Sequence, residues 1–348
     1  MNQSGSAVGT GEYGLALGTP NIKSVGSLAF GPEGILFVAD NMSATIFAID
    51  TRDIGVASEP RPVDVDKIET RLAAYLGCGH EDVNIRDIAV HPSSQNIYLS
   101  VMRGRGATAI PVLIKVGMDG LLSDMPLEDV PFSQTAIENP STERVTGDRL
   151  WTLTVTDIAY VDGLLLVAGA SNEEFSSTLR RIPFPFMGSA LANSLEIFHV
   201  SHGRYETAAP IRSFVPYAGD TSVLASYTCT PVVHFSLRDV KAGTQLKGTT
   251  VAELGASNTP IDIVSFKRDG QEYVIVSNTQ HGLIKIACKD IDRLESLTEP
   301  QGPVGVPRER LPHKGVGRMA NLNGSYVLMM QKDEQGNTDL RSYSTATL

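Results

Sequence analysis

One short unit returns six times along this chain, and no other feature narrows the possible folds so far. Its clearest copy runs Val25-Gly-Ser-Leu-Ala-Phe-Gly-Pro-Glu-Gly-Ile-Leu-Phe-Val-Ala-Asp40 and continues as Ala44-Thr-Ile-Phe-Ala-Ile-Asp50. Two β-rich runs flank a Gly-Pro-Glu-Gly turn, and a third follows a polar gap, so the unit reads as strand, hairpin, strand, loop, strand. Later copies open with Arg86-Asp-Ile-Ala-Val, Thr156-Asp-Ile-Ala-Tyr, Arg212-Ser-Phe-Val-Pro, Ile261-Asp-Ile-Val-Ser and Gly317-Arg-Met-Ala-Asn. Each is followed by two further apolar runs, as in Ile97-Tyr-Leu-Ser-Val and Val112-Leu-Ile-Lys-Val of the second copy. With Ser27, Asp87, Asp157, Ser213, Asp262 and Arg318 taken as equivalent, the spacings are 60, 70, 56, 49 and 56 residues.

A sheet of three or four strands cannot bury both faces alone, so successive sheets must stack. Radial stacking closes the array without long exposed edges. The expected fold is therefore all-β: a six-bladed β-propeller forming one domain over residues 1–348, with blades starting near 25, 85, 155, 211, 261 and 316. The run Tyr13-Gly-Leu-Ala-Leu-Gly18, within 12–18, has no blade of its own and is expected to close the last blade. The segment 66–77 has apolar Ile68, Leu72 and Leu76 behind an acidic start and predicts a short helix between the first two units. Two polar, Pro-containing excursions, Pro126 to Leu150 and Pro300 to His313, read as long connections.

Of 348 residues, 29 are Lys or Arg and 39 Asp or Glu, a net charge of −10 that disfavours nonspecific attraction to nucleic acid or anionic membrane. No run of about 18 apolar residues is present, so membrane insertion is not expected. The polar start Met1-Asn2-Gln3-Ser4 lacks a basic and an apolar region, and no secretory signal is read there. The compartment stays open between cytoplasm and periplasm or exterior, with a lean to periplasmic or secreted and a signal already removed. Cys78, Cys229 and Cys288 are too far apart for a CxxC metal site and allow at most one bridge.

In a radial array the innermost strands start, and the second strands end, on one face of the disc. The repeat alignment therefore gathers Asp87, Asp157, Asp262 and Arg318, with Arg86 beside them, at the mouth of a central channel. From second-strand ends come Arg103, Asn172 and Asn278, with His281 nearby. Three carboxylates at one mouth repel one another and need protonation, a facing Arg or a cation. Two readings stay open. Asp157, Asp262, Asn278 and Asn172 offer the oxygen donors a divalent cation such as calcium prefers; alternatively each Asp caps backbone N–H groups of the adjacent blade. His281 has acid–base or ligand chemistry available, and Arg103-Gly-Arg-Gly106 is a basic loop suited to a carboxylate or phosphate. Cys229 and the pair His199/His202 are weaker candidates for nucleophile and metal ligand, and Glu173 and Glu174 are possible partners of the arginines. Asp333 and its neighbours read as a hairpin turn. Gly9-Thr-Gly-Glu-Tyr-Gly14 lacks the strand and helix a dinucleotide site requires.

The copies Val25 to Asp40 and Ile85 to Ser100 resemble repeats of the NHL and gluconolactonase-like propeller superfamily. The resemblance covers about residues 22 to 343 and implies six blades. Lactonases of that superfamily hold a divalent metal with Glu, Asn and Asp on the channel face, and Asp262, Asp157, Asn278 and Asn172 fall at comparable repeat positions. The blade-one Glu of such enzymes has no counterpart, since Ser24-Val-Gly-Ser27 stands there. The function expected is binding of a small molecule or protein partner at the polar channel face, with a metal-dependent lactonase or esterase as the alternative.

Overall fold

The computed structural model describes residues 13–348, apart from 142–143, 146–147, 150–152, 173–175, 188–191, 200–203, 207–208, 228–230, 239–244, 256–257, 292–296 and 298–304. Six sheets form a six-bladed β-propeller, antiparallel except where Gln245–Lys247 runs parallel to Ala192–His199 at the edge of blade three. Their three inner strands are Leu28–Phe30, Ile35–Asp40 and Thr45–Asp50 in blade one, and Val83–Val90, Ile97–Arg103 and Ile110–Val116 in blade two. Blade three is built on Asp157–Val161, Leu164–Ala170 and Ser177–Pro183, and blade four on Ile211–Tyr217, Ser222–Tyr227 and Pro231–Ser236. Blade five has Pro260–Arg268, Gln271–Asn278 and Ile284–Ala287; blade six has Val316–Asn323, Tyr326–Lys332 and Thr338–Ser344.

The strands are apolar throughout because both faces of every blade are covered. In Ile35–Asp40 all six residues are buried. Leu36 and Val38 pack toward blade two, whereas Ile35, Phe37 and Ala39 pack toward blade three. The hairpin that joins the first two strands turns at Gly34, whose φ of +75° favours glycine and whose missing Cβ leaves room for the His91 ring.

The order of blades around the axis departs from chain order. Innermost strands touch in the sequence one, two, six, five, four, three and back to one. The six apolar clusters repeat this order: one–two, two–six, one–three, three–four, four–five and five–six. Blades three to six thus follow one another, while the first two are reversed, which corrects the expectation of simple successive stacking.

Two exchanged edges accompany this reversal. After Asp50 the chain crosses beneath blade two, where Asp53 Oδ2 accepts hydrogen bonds from Ser94 Oγ, Asn96 Nδ2 and Tyr98 Oη at 2.9, 2.7 and 3.0 Å. It then reaches the edge of blade six, where Val65 and Leu340 exchange both backbone bonds at 2.9 Å. The expected helix follows as Ile68–Leu76, and its Ile68 and Leu72 are sealed between blades two and six. After blade two the chain returns to blade one, and Val130–Ala136 supplies its fourth strand. Ala16–Gly18 pairs with that strand, so the N-terminal run extends the first blade and does not close the last. The excursion from Pro126 is therefore partly structural, as is the one after Pro300, whose Arg308–Arg310 edges blade five. Packing decides this outcome, because an outer strand needs only one exposed sheet edge and carries little sequence signature of its own.

Candidate functional site

Around the axis the register-equivalent residues fall in the order Ser27, Asp87, Arg318, Asp262, Ser213, Asp157. Acidic and non-acidic positions alternate. This alternation exists only because blade one is inserted between blades two and three, which separates Asp87 from Asp157.

Each Asp reaches into the next blade. Asp87 Oδ2 accepts the Leu28 N–H at 2.8 Å, Asp157 Oδ2 that of Phe214 at 2.8 Å, and Asp262 Oδ2 that of Met319 at 2.7 Å. Hydroxyls complete the clamp: Ser100 donates to the Gly26 carbonyl and Ser277 to that of Gly317. The capping role and the convergence on one mouth thus hold together in the same side chains. Four innermost strands carry a β-bulge at this level, between Ile85/Asp87, Ile211/Ser213, Pro260/Asp262 and Val316/Met319. A bulge re-aims the extra residue. In blades two and four that residue is Arg86 and Arg212.

Ser213 is the hinge of the acidic set. Its Oγ lies 2.8 Å from Asp157 Oδ2 and 2.7 Å from Asp262 Oδ1. A hydroxyl has one proton to donate, so Oγ serves one carboxylate at a time, and a proton on Asp157 would let that carboxyl donate to Oγ in turn. Burial and the charges of Asp262 and Asp87 push Asp157 up to about 8. Burial also raises Asp87, to about 6, against the pull of Arg318, whose Nε is 4.0 Å from Asp87 Oδ1. Burial opposes the charge on Arg318, but Asp87, Asp262 and Asp157 outweigh it and hold this guanidinium more firmly protonated than usual. Arg86 and Arg212 are shifted the other way, by burial first and then by the charge of Arg318.

The remaining candidates stand apart from this ring. Asn278 is occupied in its own loop, where Oδ1 accepts the N–H groups of Gln280 and His281 and Nδ2 donates to the Gly282 carbonyl. His281 is half-buried in that loop. Asn172 is exposed, and its N–H is bonded to the Asn139 carbonyl. Arg103 donates to the Gly77 carbonyl at 3.5 Å, and Arg105 faces Asp82 at 3.4 Å, so the basic loop pairs within its own blade region. Asp333 accepts bonds from Gln335 and Asn337 in a hairpin turn. Cys229, His202, Glu173 and Glu174 lie outside the described residues.

Among the described residues the expected metal ligands are not gathered as a cation site. Both oxygens of Asp157 and of Asp262 already accept bonds, Oδ1 of each from the N–H of the next residue at 2.8 Å. Asn278 is engaged in its own loop, and Arg318 shares the mouth. Among the described residues no three His, Cys, Asp or Glu side chains are grouped to hold a metal ion. Sequence reasoning missed Arg212, although its place directly before Ser213 matches that of Arg86 before Asp87. The repeat alignment itself held that signal.

No family model and no curated protein matches this chain. Among solved structures it is similar to the β-propeller domain of Cps50 (Swd1) from Myceliophteria thermophila, with 12% identity over 92% of this chain and 83% of that one, TM-score 0.40. It is similar also to streptogramin B lyase, with 9% identity over 95% and 97% and TM-score 0.41. The PQQ-bound aldose sugar dehydrogenase of Streptomyces coelicolor shows 10% identity over 94% and 97%, TM-score 0.37. These neighbours are β-propellers of several different activities.

Proposed function

We propose that this propeller binds a small ligand, or an extended group of a partner, at the mouth of its central channel, with Asp87, Asp157, Asp262, Arg318, Arg86 and Arg212 as the recognising residues. One observation carries the reading: charged and hydroxyl side chains fill the equivalent position of all six blades and meet across them, with Ser213 held between two carboxyls at 2.8 and 2.7 Å. A channel kept only for stability has no need to gather three arginines at one mouth, where drawing Arg212 and Arg318 partly out of water is costly. The repeat resemblance to the NHL and gluconolactonase-like superfamily supports a channel-face site, because that is where its members place theirs.

The alternative, a metal-dependent lactonase or esterase, finds less support. Its carboxylates would have to release interblade N–H groups before binding a cation such as calcium, and the Arg318 charge opposes one. The experiment is a thermal-shift screen of the full chain against small metabolites, with and without calcium, repeated on Ser213→Ala. Ligands that raise the melting temperature of the native chain and lose the effect in the variant are expected. Hits that persist unchanged in the variant would move the site elsewhere.

A further inference from the structure

The ring divides its three guanidiniums unequally. Arg318 is held by the carboxylates, at 4.0 Å from Asp87. Arg86 and Arg212 make no hydrogen bond and no salt bridge among the described residues, and Arg212 Nε is closed off from solvent without an acceptor. Both stand one residue before the mouth position, both at a bulge that frees them from strand pairing, and both lie within electrostatic reach of Arg318. A buried N–H without an acceptor costs on the order of 1–3 kcal/mol, more when charged. The Arg212 Nε–H therefore calls for an acceptor that the described residues do not supply, and the solvent-exposed guanidinium of Arg86 is available to share it.

Charge counting agrees. With a proton on Asp157, whose carboxyl is raised by burial beside Ser213, three guanidiniums face the charges of Asp87 and Asp262. Arg presents a planar fork that matches two oxygens of one group.

We propose that the mouth takes an oxyanion, the phosphate or carboxylate group of a small ligand, clasped by the guanidiniums of Arg86 and Arg212. The assignment rests on the mouth being the binding site and specifies what it recognises. The group carries no reaction here; it is held by charge-assisted hydrogen bonds, while the Asp ring behind it stays engaged with the backbone.

The test uses the full chain at fixed ionic strength, titrated calorimetrically with inorganic phosphate and, separately, with malonate, which distinguish the two oxyanion sources. Saturable binding of at least one probe is expected, weakened about tenfold in Arg86→Gln and in Arg212→Gln and little changed in Arg103→Gln. Arg212→Lys keeps the charge without the fork and is expected to retain part of the affinity, which guards against loss through misfolding. No saturable binding of either probe, or binding that survives the double Arg86→Gln/Arg212→Gln variant, overturns the oxyanion assignment. If neutral or cationic ligands bind instead and Ser213→Ala abolishes their effect, the oxyanion class falls while the mouth stands as the site. If Ser213→Ala leaves every ligand unaffected, the mouth falls as well.

Discussion

Blades three to six and blades one and two use the same local unit but close it in different ways. In the first arc each blade follows its predecessor around the axis, and the outer strand Thr249–Glu253 leads directly into blade five. In the second arc the two blades are reversed, one receives its fourth strand from beyond the other, and the crossing segment caps blade six. The first arc is held by apolar faces that local sequence supplies and by the Asp157 and Asp262 clamps at the mouth. The second needs specific polar anchors, Asp53 beneath blade two and Asp339 and Ser342 on blade six, where they receive the N–H groups of Lys67 and Val63. What this teaches is that an interchangeable apolar blade face does not choose its neighbour. Polar anchors with one correct partner do.

Breaking the packing under the crossing segment should have the largest effect. Leu340 is fully buried between blades two and six, and Leu340→Ala is expected to lower unfolding stability by about 3 kcal/mol. Urea denaturation measures this, and a loss below about 1 kcal/mol would mean that the crossing segment does not seal this edge.

Next comes the anchor itself. Burial raises the Asp53 carboxyl, but bonds from Asn96, Ser94, Tyr98 and Gly55 outweigh it and hold the group below its ordinary value. Asp53→Ala strands three donors and is expected to cost about 2 kcal/mol. Faster amide exchange confined to the crossing segment and blade two, with blades four and five unchanged, would sharpen the contrast between the arcs. Uniform acceleration would erase it. Because this carboxyl is depressed, its contribution is present above the ordinary Asp range and is lost as pH falls through its folded value.

The mouth behaves in the opposite sense and belongs to both arcs. Asp157 at about 8 and Asp87 at about 6 bind protons more tightly when folded. Their contribution is fully present below the ordinary Asp range and is lost as pH rises through 6 and then 8. Stability should therefore decline from pH 5 to 9, by at most about 1.4 kcal/mol per unit for each group within its window. Asp157→Asn, which keeps a hydrogen-bonding side chain without a titrating proton, should flatten the upper part of this profile. A profile of Asp157→Asn identical to the native one would refute the raised Asp157 carboxyl. The groups facing Asp157 in this window are Asp87, Asp262, Ser213, the Phe214 N–H and the Arg318 guanidinium.

The smallest effect is reserved for the basic loop of blade two. Arg105 and Asp82 are solvent-exposed partners at 3.4 Å, so Arg105→Ala should change stability by less than about 0.5 kcal/mol. A larger loss would indicate that this loop takes part in closing the second arc.

Strand positions, the six-fold count and the helix at Ile68–Leu76 were legible in the sequence, because hydrophobic period and turn residues act over a few neighbours. The mouth register was legible too, since six aligned copies name their own equivalent residues, and Arg212 was readable by the same rule. Ring order was not. All six blades offer similar apolar faces, so nearest-neighbour pattern cannot tell which face meets which, nor that Val130–Ala136 and Val65 cross to other blades. That decision belongs to the tertiary structure, where edge pairing and a few long-range polar anchors select one closure. The same closure inserts Ser27 between Asp87 and Asp157 and thereby turns a list of charged residues into an alternating ring.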